Sequence, residues 1–244
     1  MTDAPVIETR GLVKSFGSQR VLDGIDLSVR RGESLVIIGG SGTGKSVLLR
    51  VILGLEPATA GEVRLDGAPA TPATRAAFMR DFGMLFQNAA LFDSLPVWRN
   101  VAFRLLRDLP AAKARARAVE RLARVGLSAD VADRMPAELS GGMRKRVGLA
   151  RAIAAEPRVI FFDEPTTGLD PQRAAAINHL IRGIVTETGA TAVTITHDMT
   201  SVRTIADRVA MLAGGRLSWQ GTVAEMDAAA DETLRAFVEG RPEA

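Results

Sequence analysis

A chain of 244 residues, 47% of them hydrophobic, is long enough for one large domain or two small ones with a sizeable core. It has no cysteine, which excludes disulfides, thiolate metal sites and thiol catalysis, and Lys+Arg 31 against Asp+Glu 28 leave a scattered +3 that gives nucleic-acid binding little support. No apolar run approaches the ~20 residues of a membrane span, and Asp3 and Glu8 without an apolar stretch behind them speak against a signal peptide, so any membrane role is expected to come through a partner.

Residues 6–13 and 25–29 have strand character, with a turn at Gly17-Ser18 between them. Phe16, just before the turn, is open between a core aromatic and a ring presented to a ligand. Residues 34–38 form a short β-branched run that reads as a buried strand. Next comes Gly39-Gly40-Ser41-Gly42-Thr43-Gly44-Lys45-Ser46, the pattern G-x-x-x-x-G-K-[ST] of a phosphate-binding loop. Val47, Leu48, Val51 and Ile52 then lie on one face of a helix. Glycine lets the backbone turn sharply and aim successive N–H groups at phosphate oxygens, and the following helix adds its positive end. In such a loop Lys45 bridges the β- and γ-phosphates and the Ser46 hydroxyl ligates Mg²⁺.

Residues 62–65 and 82–86 read as strands and 71–80 as helix. From about 97 to 154 the pattern is helical. Pro110 opens an Ala/Arg-rich helix reaching Val125, with Val119, Leu122 and Val125 as its apolar stripe. Arg115, Arg117, Arg121 and Arg124 lie off that stripe, as on a solvated face. Ser140 suits an N-cap, and Gly141 and Gly142 let a ligand approach the backbone. Strand character returns at 159–162 and ends in Asp163-Glu164, which places Asp163 at a carboxyl sheet edge to hold Mg²⁺. Glu164 beside it can take a proton from an attacking water. Pro171 starts a helix to Thr188, and residues 191–196 form a strand ending at His197. His179 reads as a mid-helix surface residue. A hairpin at 208–220 and a short helix carrying Leu234, Phe237 and Val238 close the chain. Strands alternating with helices around a phosphate loop imply a mostly parallel α/β sheet.

The order of these motifs resembles the nucleotide-binding subunit of ATP-binding-cassette (ABC) transporters over nearly the whole chain. The matching residues are the loop 39–46, Gln87, Leu139-Ser140-Gly141-Gly142-Met143, Asp163-Glu164, Gly168-Leu169-Asp170 and His197. The resemblance implies a P-loop NTPase of ABC type. Its RecA-like mostly parallel core and antiparallel β subdomain would occupy 1–88 and 157–244, and a helical subdomain 89–156, all in a single ATPase domain. ATP and Mg²⁺ are the implied cofactors, with Phe16 on the adenine and Asp170 at the nucleotide. Catalysis would fall to Glu164, His197, Gln87 and Lys45, with Ser46, Gln87 and Asp163 toward the metal. Ser140, Gly141 and Gly142 would face the γ-phosphate held by a second copy. Two departures stand out: the stacking aromatic is Phe rather than Tyr, and the signature carries Met143 in place of Gln.

A narrower resemblance rests on Leu91-Phe92-Asp93 after Gln87, on Trp98, and on Met143 in Leu-Ser-Gly-Gly-Met-Arg-Lys-Arg. It points to ATPases of the maintenance-of-lipid-asymmetry type. That implies phospholipid moved between bacterial membranes, an integral permease, a mammalian-cell-entry-domain (MCE) binding protein and a small STAS-domain subunit. The chain would then work at the cytoplasmic face of the inner membrane, with no nucleic-acid partner. An ABC ATPase for another solute, or a soluble one in metal-cluster assembly, stands as the alternative.

Overall fold

The computed structural model describes residues 4–241, so Asp3 lies outside the described residues. In chain order the strands and α-helices are β1 (Ile7–Phe16), β2 (Gln19–Val29), β3 (Ser34–Ile38), α1 (Lys45–Leu53), β4 (Ala60–Leu65), β5 (Ala68–Pro69), α2 (Pro72–Phe78) and β6 (Phe82–Leu85). There follow α3 (Val97–Val101), α4 (Ala111–Arg124), α5 (Gly141–Ala152), β7 (Val159–Asp163), α6 (Pro171–Thr188) and β8 (Thr191–Ile195). The chain closes with α7 (Met199–Ile205), β9 (Arg208–Ala213), β10 (Arg216–Gly221), α8 (Val223–Asp227) and α9 (Glu232–Val238). It divides into two compact units, one holding the chain up to Arg80 and from Thr191 on, the other Asp81–Ala190.

The first unit contains an antiparallel sheet in the order β2-β1-β4-β5. Beside it, β3 lies between β8 and β9 and runs parallel to both, while β10 pairs antiparallel with β9. Every residue of β3 and β8 is buried. Burial on both faces is why these strands read as continuous apolar runs rather than alternating ones. An ion pair between Arg208 Nε and Glu33 Oε1, 2.6 Å long and largely enclosed, ties the start of β9 to the turn before β3. The two sheets are joined at Asp23, whose N–H donates to Gly215 O at 2.8 Å.

In the second unit β6 and β7 form a parallel pair, locked by Phe82 against Phe161 edge to face at 5.0 Å. Between them every regular element is helical, but less continuously than the sequence pattern predicts. The helix α3 has only five residues, and a 3₁₀ turn at Leu105–Arg107 separates it from α4. Pro110 supplies the N-cap of α4, consistent with proline ending one segment and starting the next. The buried stripe of α4 is Ala114, Ala118, Leu122 and the following Val125, not Val119. Small alanines carry little signal in a search for large apolar residues. The α4 arginines are ion-paired within the unit: Arg115 with Asp133 at 2.7 Å, Arg124 with Glu187 at 2.7 Å, and Arg117 and Arg121 both with Glu156. Arg121 is only 6% exposed, so it belongs to the packed face rather than the solvated one.

Candidate functional site

In the first unit β3 delivers the glycine loop, and three of its glycines have separate reasons. Gly39 has φ 150, and a Cβ there would collide with the carbonyl oxygen of Leu212. Gly44 has φ 102, and a Cβ would sit 3.0 Å from Val21 O and from Leu22 Cδ2. Gly42, at φ 79, needs only the left-handed backbone, since its space is open. Lys45 Nζ donates to Gly39 O and Gly40 O, each at 2.7 Å, and Thr43 Oγ1 donates to Gly40 O at 3.0 Å. These bonds close the loop into a ring that holds the lysine. Gly44 is the N-cap of α1, and no side chain caps that end. A helix start that no side chain caps suits an anionic acceptor, and a phosphate is of that kind. Ser41 and Ser46 are exposed beside it.

Phe16 is 43% exposed, which settles its reading against a core aromatic. Lys14 Nζ lies 4.5 Å from the ring centroid and is itself held by Glu56 Oε2 at 3.1 Å and Pro57 O at 2.9 Å. A buried ammonium against a ring edge or face fixes an aromatic that side-chain packing leaves open. His197 is exposed just past β8. The backbone after it is set by Asp198, which caps α7 by accepting from Thr200 N at 2.9 Å and from Ser201 Oγ at 2.6 Å.

The second unit carries the other motifs. Asp163 ends β7, and Glu164 follows with φ 47 and accepts from Thr167 Oγ1 through Oε2 at 3.0 Å. Ser140 caps α5 by accepting from Met143 N at 3.3 Å. A Cβ at Gly141 would meet nothing within 4 Å, and one at Gly142 only the Arg173 side chain at ordinary distance. Gly142 is buried, whereas Gly141 is exposed with open space where a Cβ would go. Asp170 is the N-cap of α6, accepting from Arg173 N at 3.0 Å. His179 is exposed on α6, as expected.

Gln87 is exposed, and its loop is strained: Ala89 and Ala90 have φ 58 and φ 46. Two cations of α5 hold that loop, and sequence reasoning missed both. Lys145 Nζ donates to Gln87 O and, at 3.1 Å, to Glu164 O. Arg151 donates to Ala89 O at 2.5 Å and Ala90 O at 2.7 Å. Burial pushes the Lys145 ammonium below the ordinary lysine range, with the Glu164 and Asp163 carboxylates acting in the opposite direction. Burial likewise lowers Arg151. The available signal was periodicity, for Lys145 stands among the buried Gly142, Leu149 and Ala152 on one face of α5.

After Gln87 the chain presents an apolar surface. Phe92 and Phe103 are 43% and 48% exposed, with ring centroids 4.7 Å apart, and Leu106 is also exposed. Leu91 and Trp98 are half-buried, and Arg99 covers the Trp98 ring. Asn100, fully buried, was also missed. Its Oδ1 accepts from Phe92 N at 2.7 Å, and its Nδ2 donates to Phe92 O at 3.1 Å and Leu95 O at 2.8 Å.

The candidate Mg²⁺ ligands fall in both units, Ser46 in the first and Gln87 and Asp163 in the second. Among the described residues no group of three or more His, Asp or Glu forms a metal nest. Few protein ligands suit Mg²⁺, which keeps water and phosphate oxygens in its shell.

Residues 22–167 match the family model described as ABC transporter. The chain belongs to the ABC transporter family. It is 47% identical to the methionine import ATP-binding protein of Caulobacter vibrioides, over 91% of this chain and 68% of that protein. Against the methionine import ATP-binding protein of Nocardia farcinica it is 43% identical, over 98% of this chain and 74% of that one. A probable ribonucleotide transport ATP-binding protein of Mycobacterium bovis is 38% identical, over 96% and 67%. Among solved structures, a dimeric ATP-binding cassette in a post-hydrolysis state with ADP and Pi has a TM-score of 0.80 at 30% identity, covering 89% of this chain and 98% of that one. The structure of cbiO1 from Clostridium perfringens, part of the ABC transporter complex cbiONQ, reaches 0.83 at 29% identity, over 96% and 94%.

This ABC protein has the RecA-like P-loop fold with a mixed sheet and a helical insert, and it is an ATP-hydrolysing motor subunit. The narrower expectation of a phospholipid transporter is overturned. The relatives at 41–47% identity carry methionine import names instead, and the MCE-domain and STAS-domain partners lose their support with it. The reason is physical. Leu91, Phe92 and Trp98 are partly or fully exposed and Met143 lies in the first turn of α5, and residues so placed do not by themselves specify a cargo.

Proposed function

We propose that this ABC subunit powers the import of a small polar solute, with methionine the first candidate. The observation that carries the reading is the 47% identity to a methionine import ATPase across 91% of the chain. The relatives extend beyond the match, so the cargo reading concerns the motor they share.

In this reading the loop amides, the N-terminal end of α1 and Lys45 hold the β- and γ-phosphates of ATP. Phe16 stacks on the adenine. Ser46, Asp163 and Gln87 hold Mg²⁺, which when bound neutralises charge on the phosphate oxygens. Glu164 takes the proton of the attacking water, and His197 contacts the γ-phosphate. Asp170 caps α6 and fixes the loop next to the nucleotide. Ser140, Gly141 and Gly142 offer donors to the γ-phosphate bound by a second copy, so two copies enclose two nucleotides. The helical segment 89–156 acts as the subdomain carrying those donors, and 1–88 with 157–244 as the nucleotide-binding remainder of one ATPase domain.

A membrane permease completes the assembly and holds the motor at the cytoplasmic face. No described helix is long and apolar enough to cross a membrane. The exposed Phe92 and Phe103 pair offers an anchor for a permease helix, in the helix-in-groove manner.

The test is purification of the complex from detergent-solubilised membranes, reconstitution, and measurement of ATPase stimulation by methionine, other amino acids and ribonucleotides. Stimulation by methionine supports the reading. Stimulation by ribonucleotides alone would favour the function named for the 38% identical mycobacterial relative.

A further inference from the structure

Lys145 is 6% exposed, three residues into the buried face of α5 from Gly142. An ammonium taken out of water needs strong acceptors. Its hydrogen-bond acceptors are two main-chain carbonyls from different stretches of chain, Gln87 O and Glu164 O, 58 and 19 residues away in sequence. Glu164 has a left-handed backbone at φ 47, and the loop just after Gln87 is left-handed at Ala89 and Ala90. Such conformations persist only when their surroundings hold them. Arg151, two turns along the same helix, holds the carbonyls of Ala89 and Ala90. Gly148 lies between, where a Cβ would press within 2.8 Å of Leu85 Cδ1 and 3.1 Å of Ala89 Cβ. Three successive positions of α5 thus lie against the segment 85–90, and Lys145 also reaches the left-handed Glu164.

We propose that Lys145 is a positioning residue for hydrolysis, whose ammonium clamps the Gln87 and Glu164 peptides to the helix that begins at Ser140. It does not touch the reacting atoms. It sets where the Glu164 carboxylate starts from, and it links that start to the loop carrying Gln87 and to the signature helix. The proposal rests on the reading of Glu164 as the base. A lysine serves because three donors on one tetrahedral nitrogen reach two carbonyls at once.

The experiment compares Lys145→Met, which keeps length but loses the donors, with Lys145→Arg, which keeps charge and donors. For each variant, MgATP affinity, single-turnover hydrolysis with protein in excess, thermal midpoint, and amide hydrogen exchange by peptide are measured. Lys145→Met is expected to slow hydrolysis by about tenfold to a hundredfold, the cost of a misplaced catalytic group, with affinity changed by less than about twofold. Exchange should rise at residues 86–91 and 164–167 and stay unchanged along α5. Lys145→Arg should recover most of the rate. Unchanged hydrolysis and unchanged exchange in Lys145→Met overturn the proposal. So does a parallel loss of affinity, rate and thermal midpoint with exchange rising throughout α5, which marks a plain core residue. Glu164→Gln is run alongside. If it hydrolyses ATP at the wild-type rate, the base reading has failed, and the exchange pattern of Lys145→Met alone decides whether the clamp exists.

Discussion

Gly39 and Gly42 sit three residues apart in one loop, yet their substitution by alanine should cost different amounts. At Gly42 only backbone strain is added, about 1 kcal/mol. At Gly39 the strain comes with a collision against the Leu212 carbonyl, so the loss should reach about 3 kcal/mol or more. Urea unfolding of both variants measures the difference, and equal losses would place the collision elsewhere. The charged residues separate by function instead. Lys45→Ala removes the ammonium that the loop holds in place, so both nucleotide affinity and turnover should fall. Glu164→Gln cannot accept a proton, and turnover should drop by about a hundredfold or more with affinity retained. Isothermal titration and phosphate release on the two variants separate the roles.

At the scale of elements, the segment between β6 and α3 behaves as a clamped loop rather than as core. Asn100 on α3 binds both the N–H and the carbonyl of Phe92, in the way a paired strand would. Asn100→Ala leaves those groups without their partner inside the fold and should cost about 2 kcal/mol. Phe92→Ala removes a ring already 43% exposed, so stability should change by no more than about 1 kcal/mol. ATP affinity should stay intact in Phe92→Ala, while association with the permease weakens by about 2 kcal/mol if the ring is an anchor. Thermal denaturation and pull-down of the permease, done on both variants, distinguish a structural loop from a docking one. A Phe92→Ala protein that unfolds would return the ring to the core.

For the whole molecule, the decisive feature is an exposed helix start with open space beside it. Gly141 has open space where a Cβ would go, and Ser140 is exposed at the start of α5. The Glu164→Gln protein, unable to clear its nucleotide, should therefore form dimers with MgATP. Adding Ser140→Arg should abolish them by setting bulk and charge against the partner's γ-phosphate site. Light scattering reads the outcome, and a double variant that still dimerises with ATP would take Ser140 out of the shared site.

The amino-acid sequence by itself determined the phosphate loop, the acidic end of β7, the signature serine and glycines, and the α/β alternation. These are local patterns in which chemistry requires given residues at given spacings, so they survive reading in one dimension. Phe16, open on sequence, needed the structure to show its exposure. The alanine stripe of α4, the Asn100 clamp and the two cations of α5 were decided only by tertiary structure. Lys145 meets Gln87 across 58 residues, and nothing in the spacing of a single lysine announces such a contact. Cargo was beyond both. Residues that bind phosphate and move a proton are the same whatever is carried, and motifs near the docking surface pointed to lipid where the relatives are named for methionine. A motor's fold is fixed by its nucleotide, whereas its cargo is chosen by chains that it only touches.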